Sequence, residues 1–207
     1  MAPRSFSKHT KQCKDMKNII VIGAGGHSKV CIDVIEEIAE WKIAGIVDYE
    51  KTKIKDILGY PIIGFDNDLE RLKKKYQYAF VGVGQIRSAE IRIKLFNRLI
   101  KLGYKLPCLI SPNAYVSKHA KIGKGTIVMN NATVNADAKI GDNCIINSKS
   151  LIEHDVLIEN HCHISTGATI NGEVKVGAQS FVGSNATTKE KITIASKSFI
   201  KANTVVK

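Results

Sequence analysis

The stretch "CIINSKSLIEHDVLIENHCHISTG", residues 144–167, repeats one six-residue pattern four times. In each hexad the first residue is small or β-branched, and the third residue is isoleucine. The pattern continues without insertion over residues 114–203, which makes 15 hexads, and the third position is Ile or Val in 14 of them. Thr188 is the exception. A fixed period of this kind predicts a solenoid in which every hexad supplies one short strand and one turn.

The period also predicts the shape of the solenoid. A branched third residue fills a narrow core, and the small first residue fits beside it. Three hexads then close a triangular coil of 18 residues, so the 15 hexads form five coils, stacked roughly 4.8 Å apart. Hexads of this type are typical of left-handed parallel β-helices. A helix is excluded, because its apolar residues recur at spacings of three and four.

The preceding residues follow a different pattern. Strand-like runs at "KNIIVIG", "IAGIVD" and "YAFVGVG" alternate with helical stretches: one from His27 to Ile38, then "NDLERLKKKY" and "SAEIRIKLFNRLIKLGY". This alternation predicts a small parallel sheet of the Rossmann type. The predicted fold is therefore an α/β Rossmann-like domain followed by an all-β left-handed β-helix. We place a flexible basic arm at residues 1–15, the Rossmann-like domain at 16–106 and the β-helix at 107–207.

Charge and composition restrict the partners. The net charge is +12, from 31 basic and 19 acidic residues, so the surface attracts anions such as nucleic acid, membranes or phosphorylated small molecules. The lysines are dispersed without a basic helix, which disfavours nucleic acid. No apolar run approaches the roughly 18 residues of a membrane helix. Five scattered cysteines favour a reducing compartment, so we expect a cytoplasmic protein.

The motif "IEHD" carries the candidate chemistry. His154, His161 and His163 all fall outside the core position of their hexads, which predicts turns or outer faces. His154 and His163 are nine residues apart, half a coil, so they can approach each other only between chains, for example in a trimer. An imidazole can accept a proton from an amine or hydroxyl near neutral pH. A neighbouring carboxylate, here Asp155, fixes its tautomer.

The loop "GAGGHS", residues 23–28, joins a predicted strand to a helix, where backbone N–H groups favour an anion. Ser28 replaces the third glycine of the dinucleotide fingerprint, which favours a sugar carboxylate or nucleotide phosphate over NAD. Asp48 ends the second predicted strand. It is either a ligand of a ribose or sugar hydroxyl, or an ordinary turn residue.

Together, the glycine loop, the hexads and "IEHD" resemble the NeuD/PglD-type bacterial sugar acyltransferases, from about residue 17 to the end. The resemblance implies transfer of an acetyl group from acetyl-CoA to a sugar, in a homotrimer with active sites between subunits. We expect N-acetylation of a nucleotide-linked amino sugar by direct attack, with O-acetylation of a sialic acid as the alternative. In that family the Rossmann-like domain binds the sugar or nucleotide sugar.

The resemblance also implies roles for individual residues. His154 matches the catalytic base and Asp155 its supporting acid. His163 matches the histidine near the acetyl carbonyl, and Gly172 the glycine whose N–H faces the thioester oxygen. The implied substrate-binding residues are Gly25, Gly26, His27, Asp48, Gly84, Arg87 and Asn147.

Two other classes remain alternatives. Carbonic anhydrases of the γ type bind zinc through three histidines on a β-helix, but their histidine spacing differs and they lack the Rossmann-like domain. The resemblance therefore implies no metal. A sugar-binding β-helix protein without catalysis is the second alternative.

Overall fold

The computed structural model describes residues 16–50 and 52–207. The predicted basic arm, residues 1–15, lies outside the described residues. Among the described residues, the N-terminal α/β domain contains five strands, three α-helices and a 3₁₀ turn. Its elements are β1 (Lys17–Ile22), α1 (Gly26–Glu37), β2 (Trp41–Asp48), β3 (Asp56–Ile57), β4 (Tyr60–Phe65), the 3₁₀ turn (Asp66–Asp68), α2 (Leu69–Lys73), β5 (Tyr78–Val81) and α3 (Glu90–Lys101).

The sheet of this domain has the strand order β3-β4-β2-β1-β5. Strands β4, β2, β1 and β5 run parallel, which confirms the Rossmann-like prediction. The sheet is mixed, however, because β3 is antiparallel to β4. Sequence reasoning missed both of these strands, since β3 is only two residues long and Pro61 and Gly64 weaken the strand pattern of β4.

The remaining strands are two residues long and recur every six residues. They are β6 (Leu109–Ile110), β7 (Tyr115–Val116), β8 (Lys121–Ile122), β9 (Ile127–Val128), β10 (Thr133–Val134), β11 (Lys139–Ile140), β12 (Ile145–Ile146), β13 (Leu151–Ile152), β14 (Leu157–Ile158), β15 (His163–Ile164), β16 (Thr169–Ile170), β17 (Lys175–Val176), β18 (Phe181–Val182), β19 (Thr187–Thr188), β20 (Thr193–Ile194), β21 (Phe199–Ile200) and β22 (Val205–Val206).

These strands form the three faces of a left-handed β-helix, as predicted. Face 1 contains β7, β10, β13, β16, β19 and β22; face 2 contains β8, β11, β14, β17 and β20; face 3 contains β6, β9, β12, β15, β18 and β21. Each strand pairs in parallel with the strand 18 residues away, such as Ile152 with Ile170. The repeat starts one hexad before residue 114, because Ile110 already pairs with Val128.

Third-position side chains fill the prism. Ile152, Ile158 and Ile164 are fully buried in one continuous apolar cluster. The sixth position of most hexads has a positive φ, including Asp155 at 59° and His161 at 60°. This left-handed conformation is uncommon for residues other than glycine. Its recurrence turns the chain at each corner and keeps the 18-residue coils in register.

The N-terminal domain covers the first coils of face 3. Leu109, Ile127 and Ile145 belong to the same buried cluster as Ile19 of β1 and Ile32 of α1. The corner between faces 1 and 2 is therefore on the far side of the prism from the N-terminal domain. Within the described part of the chain, no helix combines the length and apolarity needed to cross a membrane.

Candidate active site

A histidine–aspartate pair projects from the corner between faces 1 and 2. His154 follows β13, and its Nδ1 lies 2.8 Å from Oδ2 of Asp155. Because Nδ1–H donates to the carboxylate, Nε2 carries the free lone pair. The hydrogen bond to Asp155 raises the pKa of His154, and the negative charges of Asp155, Glu153 and Glu173 act in the same direction. Both side chains of the pair are more than half exposed, so the base is accessible from outside the chain.

Gly172 lies directly against the His154 ring, one coil further along. A Cβ at this position would lie 2.8 Å from both Cε1 and Nε2 of His154. Any side chain here would displace the imidazole. Among the hydrogen bonds of the described residues, none is donated by the Gly172 amide. The Gly172 backbone thus lies beside the His154 ring, and within the described residues its N–H group has no protein acceptor.

Thr188 explains the one irregular hexad. It occupies a core position and is only 1% exposed, yet its Oγ1 accepts a hydrogen bond from the Asn171 amide at 2.9 Å. The Asn171 side chain donates to the Thr188 carbonyl oxygen at 2.6 Å. Thr188 thus fixes the corner next to Gly172. Sequence reasoning missed this role, although the only break in the Ile/Val pattern was its signal.

A second site lies in the N-terminal domain, at the carboxyl ends of β1, β2 and β5. It is a cavity of about 890 Å³, the size of a nucleotide or drug-sized ligand site. Five of the seven predicted substrate-binding residues line it. These are Gly25, Gly26, His27, Asp48 and Gly84. The structure adds four charged residues that sequence reasoning did not identify: Glu50, Asp66, Lys94 and Arg98.

Two predicted substrate-binding residues do not line this cavity. Arg87 is exposed, next to the lining residue Ile86. Asn147 belongs to the β-helix, where its Nδ2 lies 3.2 Å from Nε2 of His163.

The serine that breaks the dinucleotide fingerprint has a structural role. Ser28 is completely buried, and its hydroxyl lies 2.5 Å from the Gly23 carbonyl oxygen and 3.1 Å from that of Gly82. A Cβ on Gly82 would lie 2.6 Å from this hydroxyl. Ser28 therefore connects the turn after β1 to the turn after β5. Because Gly82 has no side chain, it leaves room for the Ser28 hydroxyl.

The electrostatics of the cavity are mixed. Burial raises the pKa of Asp66, while the positive charges of Arg98 and Lys94 oppose that shift. Burial and the nearby Arg92 charge lower the pKa of His27 to about 3. His27 is therefore neutral at physiological pH and can act as a hydrogen-bond partner but not as a cation.

His163 differs from the expectation of an open outer face. It points outward from β15 but is only 6% exposed, because the loop after β5 covers it. Its Nδ1–H donates to the Gln85 carbonyl oxygen at 2.6 Å, and Nε2 accepts from Asn147. Burial lowers the pKa of His163 to about 4. Both ring nitrogens thus make hydrogen bonds within one chain, which a contact with an acetyl carbonyl would have to replace.

The histidines of the opening motif do not converge. His154 is exposed at its corner, His163 is buried beneath the N-terminal domain, and the His161 ring packs edge-on against Phe96 at 5.5 Å. Across residues 16–50 and 52–207, no group of three or more His, Cys, Asp or Glu side chains is arranged to hold a metal ion.

Comparisons with known proteins agree with this architecture. Residues 18–99 match the PglD N-terminal domain family, and residues 137–172 match the bacterial transferase hexapeptide family of six repeats. A curated UDP-N-acetylbacillosamine N-acetyltransferase of Bacillus subtilis (strain 168) is 34% identical over 118 residues, covering 55% of this chain and 52% of the relative. The matched segment thus spans about half the length of that relative.

Two solved structures match over most of their length. A histidine mutant of perosamine N-acetyltransferase from Caulobacter crescentus, in complex with CoA and GDP-perosamine, has a TM-score of 0.86 at 31% identity, covering 92% of this chain and 88% of that one. The acetyltransferase domain of PglB from Neisseria gonorrhoeae FA1090, in complex with acetyl coenzyme A, has a TM-score of 0.83 at 31% identity, covering 92% and 93%.

The fold and the site define a class of protein: a left-handed β-helix with a histidine–aspartate pair, joined to a Rossmann-like domain that carries a ligand cavity. Within that class, the chain belongs to the PglD-type family of hexapeptide-repeat sugar acetyltransferases. This confirms the family resemblance found in the sequence.

Proposed function

We propose that this protein transfers an acetyl group from acetyl-CoA to the amine of a nucleotide-linked amino sugar. The observation that carries the proposal is the His154–Asp155 pair, whose free Nε2 lies against Gly172 in an exposed corner. Support comes from two relatives whose names specify acetylation of an amino sugar, one of them solved with CoA and GDP-perosamine.

The chemistry follows from the orientation of His154. Its Nε2 takes a proton as the sugar nitrogen attacks the thioester carbonyl carbon. The C–N bond forms and the C–S bond breaks, and the sulfur of CoA leaves with the proton that His154 returns. Asp155 stabilises the imidazolium between these two steps. We assign the Gly172 N–H to the developing oxyanion, because an amide without a competing partner is available to donate to it.

The N-terminal cavity is the proposed nucleotide-sugar site. The glycine loop before α1 presents backbone N–H groups suited to phosphate oxygens, with Gly25, Gly26 and Gly84 in its wall. Asp48 and His27 offer hydrogen-bond partners to a sugar or ribose hydroxyl. Arg87, exposed beside this wall, would contact the part of the substrate that extends out of the cavity.

The two sites require a second copy of the chain. Gln85 in the cavity wall bonds to His163 on face 3, whereas His154 lies at the opposite corner of the same prism. A substrate in the cavity therefore meets the His154 of another subunit. A homotrimer is the arrangement we propose, with acetyl-CoA in the crevice between adjacent β-helices. Because acetyl-CoA is the donor, we expect the enzyme to act in the cytoplasm.

A substrate panel tests the reaction. CoA release is measured with acetyl-CoA and, in parallel, a UDP-linked amino sugar, a GDP-linked amino sugar and free or CMP-linked sialic acid. The proposal predicts release with at least one amino sugar. Release with sialic acid alone would favour the O-acetyltransferase alternative, and release with none would favour a sugar-binding protein without catalysis.

Subunit mixing tests the shared site. His154→Asn removes the base, and Asp48→Asn alters the cavity on the other side of the prism. Each variant alone should be slow, and co-refolded mixtures should regain activity, because some interfaces combine an intact His154 with an intact cavity. Mixtures no faster than the two separate variants would show that each chain works alone.

A further inference from the structure

Arg92 of α3 is a buried cation bonded to oxygen atoms that carry no formal charge. It is only 1% exposed, and within the described residues no carboxylate forms an ion pair with it. Its guanidinium donates to the Val81 carbonyl oxygen at 3.0 Å and to that of Val83. It also donates to the carbonyl oxygen of Asn143 at 3.3 Å and to its Oδ1 at 2.8 Å.

This arrangement needs a physical explanation. A buried charge is costly unless it is hydrogen-bonded, and burial lowers the pKa of Arg92 to about 10, so it remains charged. The planar fork of arginine can reach several acceptors at once. Here the acceptors come from the end of β5, the loop that follows it and a corner of the β-helix. Arg92 therefore joins three segments of the chain at one point.

A second contact holds the same loop. His163 on face 3 donates to the Gln85 carbonyl oxygen at 2.6 Å, and the Gln85 side chain donates to the Gln179 carbonyl oxygen at 3.4 Å. The loop 82–86 also forms one wall of the cavity. Three β-helix residues, Asn143, His163 and Gln179, thus set the position of a wall of the ligand site.

We propose that Arg92, together with the Asn143 side chain, is a positioning device that holds loop 82–86 in the conformation that binds the nucleotide sugar. This inference rests on the proposed function. Arg92 contacts neither sugar nor acetyl-CoA and acts through the loop. The β-helix then contributes to acceptor binding as well as to acetyl transfer, through residues on face 3 and at the corner between faces 2 and 3.

The sharpest variant is Asn143→Gly. Asn143 has a φ of 53°, which glycine adopts readily, so the corner survives while the Oδ1 acceptor is lost. Asn203→Gly is the matched control, because Asn203 has a φ of 55° in an exposed corner of the last coil. Asn143→Gly also breaks the contact between the Asn143 side chain and His161. His161→Asn is therefore a second control, since it changes that contact and leaves the Oδ1 acceptor of Arg92 in place. Arg92→Met and Arg92→Lys complete the series.

Two measurements report on the conformation of loop 82–86. Hydrogen exchange of peptides covering residues 80–88 is measured without substrate, and KM is measured separately for the nucleotide-linked amino sugar and for acetyl-CoA. Loss of one hydrogen bond to a charged group should make exchange of the loop about tenfold faster and raise the sugar KM about tenfold. The KM for acetyl-CoA should stay unchanged, and Arg92→Lys should retain more protection than Arg92→Met.

The outcomes separate the inference from the proposed function. If wild-type protein transfers no acetyl group to any amino sugar, the proposed function fails, while the exchange experiment still reports on the loop. If Asn143→Gly exchanges as slowly as Asn203→Gly and keeps the wild-type sugar KM, the positioning role is overturned. A lower melting temperature with an unchanged sugar KM in the Arg92 variants would likewise show that Arg92 stabilises the fold without positioning the loop.

Discussion

The contact between Gly172 and His154 gives a prediction that separates catalysis from stability. In Gly172→Ala the new Cβ would lie 2.8 Å from Nε2 and Cε1 of His154, and ordinary contacts begin at 3.4 Å. The ring must therefore move by at least 0.6 Å, the difference between these two distances. A displacement near 1 Å can slow a reaction by about 10²-fold. We expect kcat to fall by about 10- to 100-fold.

Stability should change little in the same variant. The His154 side chain is 58% exposed, so it can rotate toward solvent, and an effect within about 0.5 kcal/mol is expected. Alanine already occupies the equivalent corner position two coils earlier, at Ala136, which shows that a Cβ suits this turn. Ala136→Gly is thus the control for corner substitutions. Thermal unfolding and initial rates of CoA release measure the two effects.

A double-mutant cycle decides whether the ring is the cause. Alanine at position 172 keeps the backbone N–H, so loss of the proposed oxyanion donor does not contribute. In the His154→Ala background, the Gly172→Ala change should have little further effect, because no ring remains to displace. An equal further loss in that background would show that the methyl group blocks acetyl-CoA instead. A wild-type kcat in Gly172→Ala would refute the reasoning altogether.

In Asp155→Asn the pKa of His154 should fall, because the hydrogen bond to that carboxylate raises it; the acidic limb of the kcat/KM profile should move to lower pH, with a lower plateau. The pKa of His163 is depressed in the folded state to about 4, so the free energy of unfolding should decrease as pH falls from 6.5 to 4. In denaturant titrations across that pH range, His163→Gln should lose part of this dependence. Thr188→Val should destabilise the fold by about 1–3 kcal/mol despite its better apolar fit, because the Asn171 amide loses its acceptor; an unchanged denaturation midpoint would contradict this.

The β-helix could be predicted from sequence because its interactions are local and periodic. Every coil repeats the same burial pattern, so the third-position residues identify the core and the corners without long-range information. The position of His154 beside Gly172 follows from the same arithmetic, since the residues are 18 apart and therefore stack. The Rossmann-like domain was recognisable from alternating strands and helices, apart from β3, which has only two residues, and β4, where Pro61 and Gly64 weaken the pattern.

The contacts between the two domains could not be predicted in this way. Gln85 and His163 are 78 residues apart, and Arg92 and Asn143 are 51 apart. No period relates these positions, so their pairing depends on how the N-terminal domain docks on face 3. The burial of His163 follows from that docking. Asp66 and Arg98 also reach the cavity only through the strand order of the sheet, which the sequence pattern did not specify.

The most direct test of the central claim is the mass of the acceptor after incubation with acetyl-CoA, for wild-type protein and for His154→Asn. Asparagine lacks a group that can accept a proton near neutral pH and keeps a polar side chain in the exposed corner. With a UDP- or GDP-linked amino sugar, wild-type protein should yield a product heavier by one acetyl group, and the variant should form it at least about 10²-fold more slowly. Equal product formation by both proteins would contradict the role of His154 as the base.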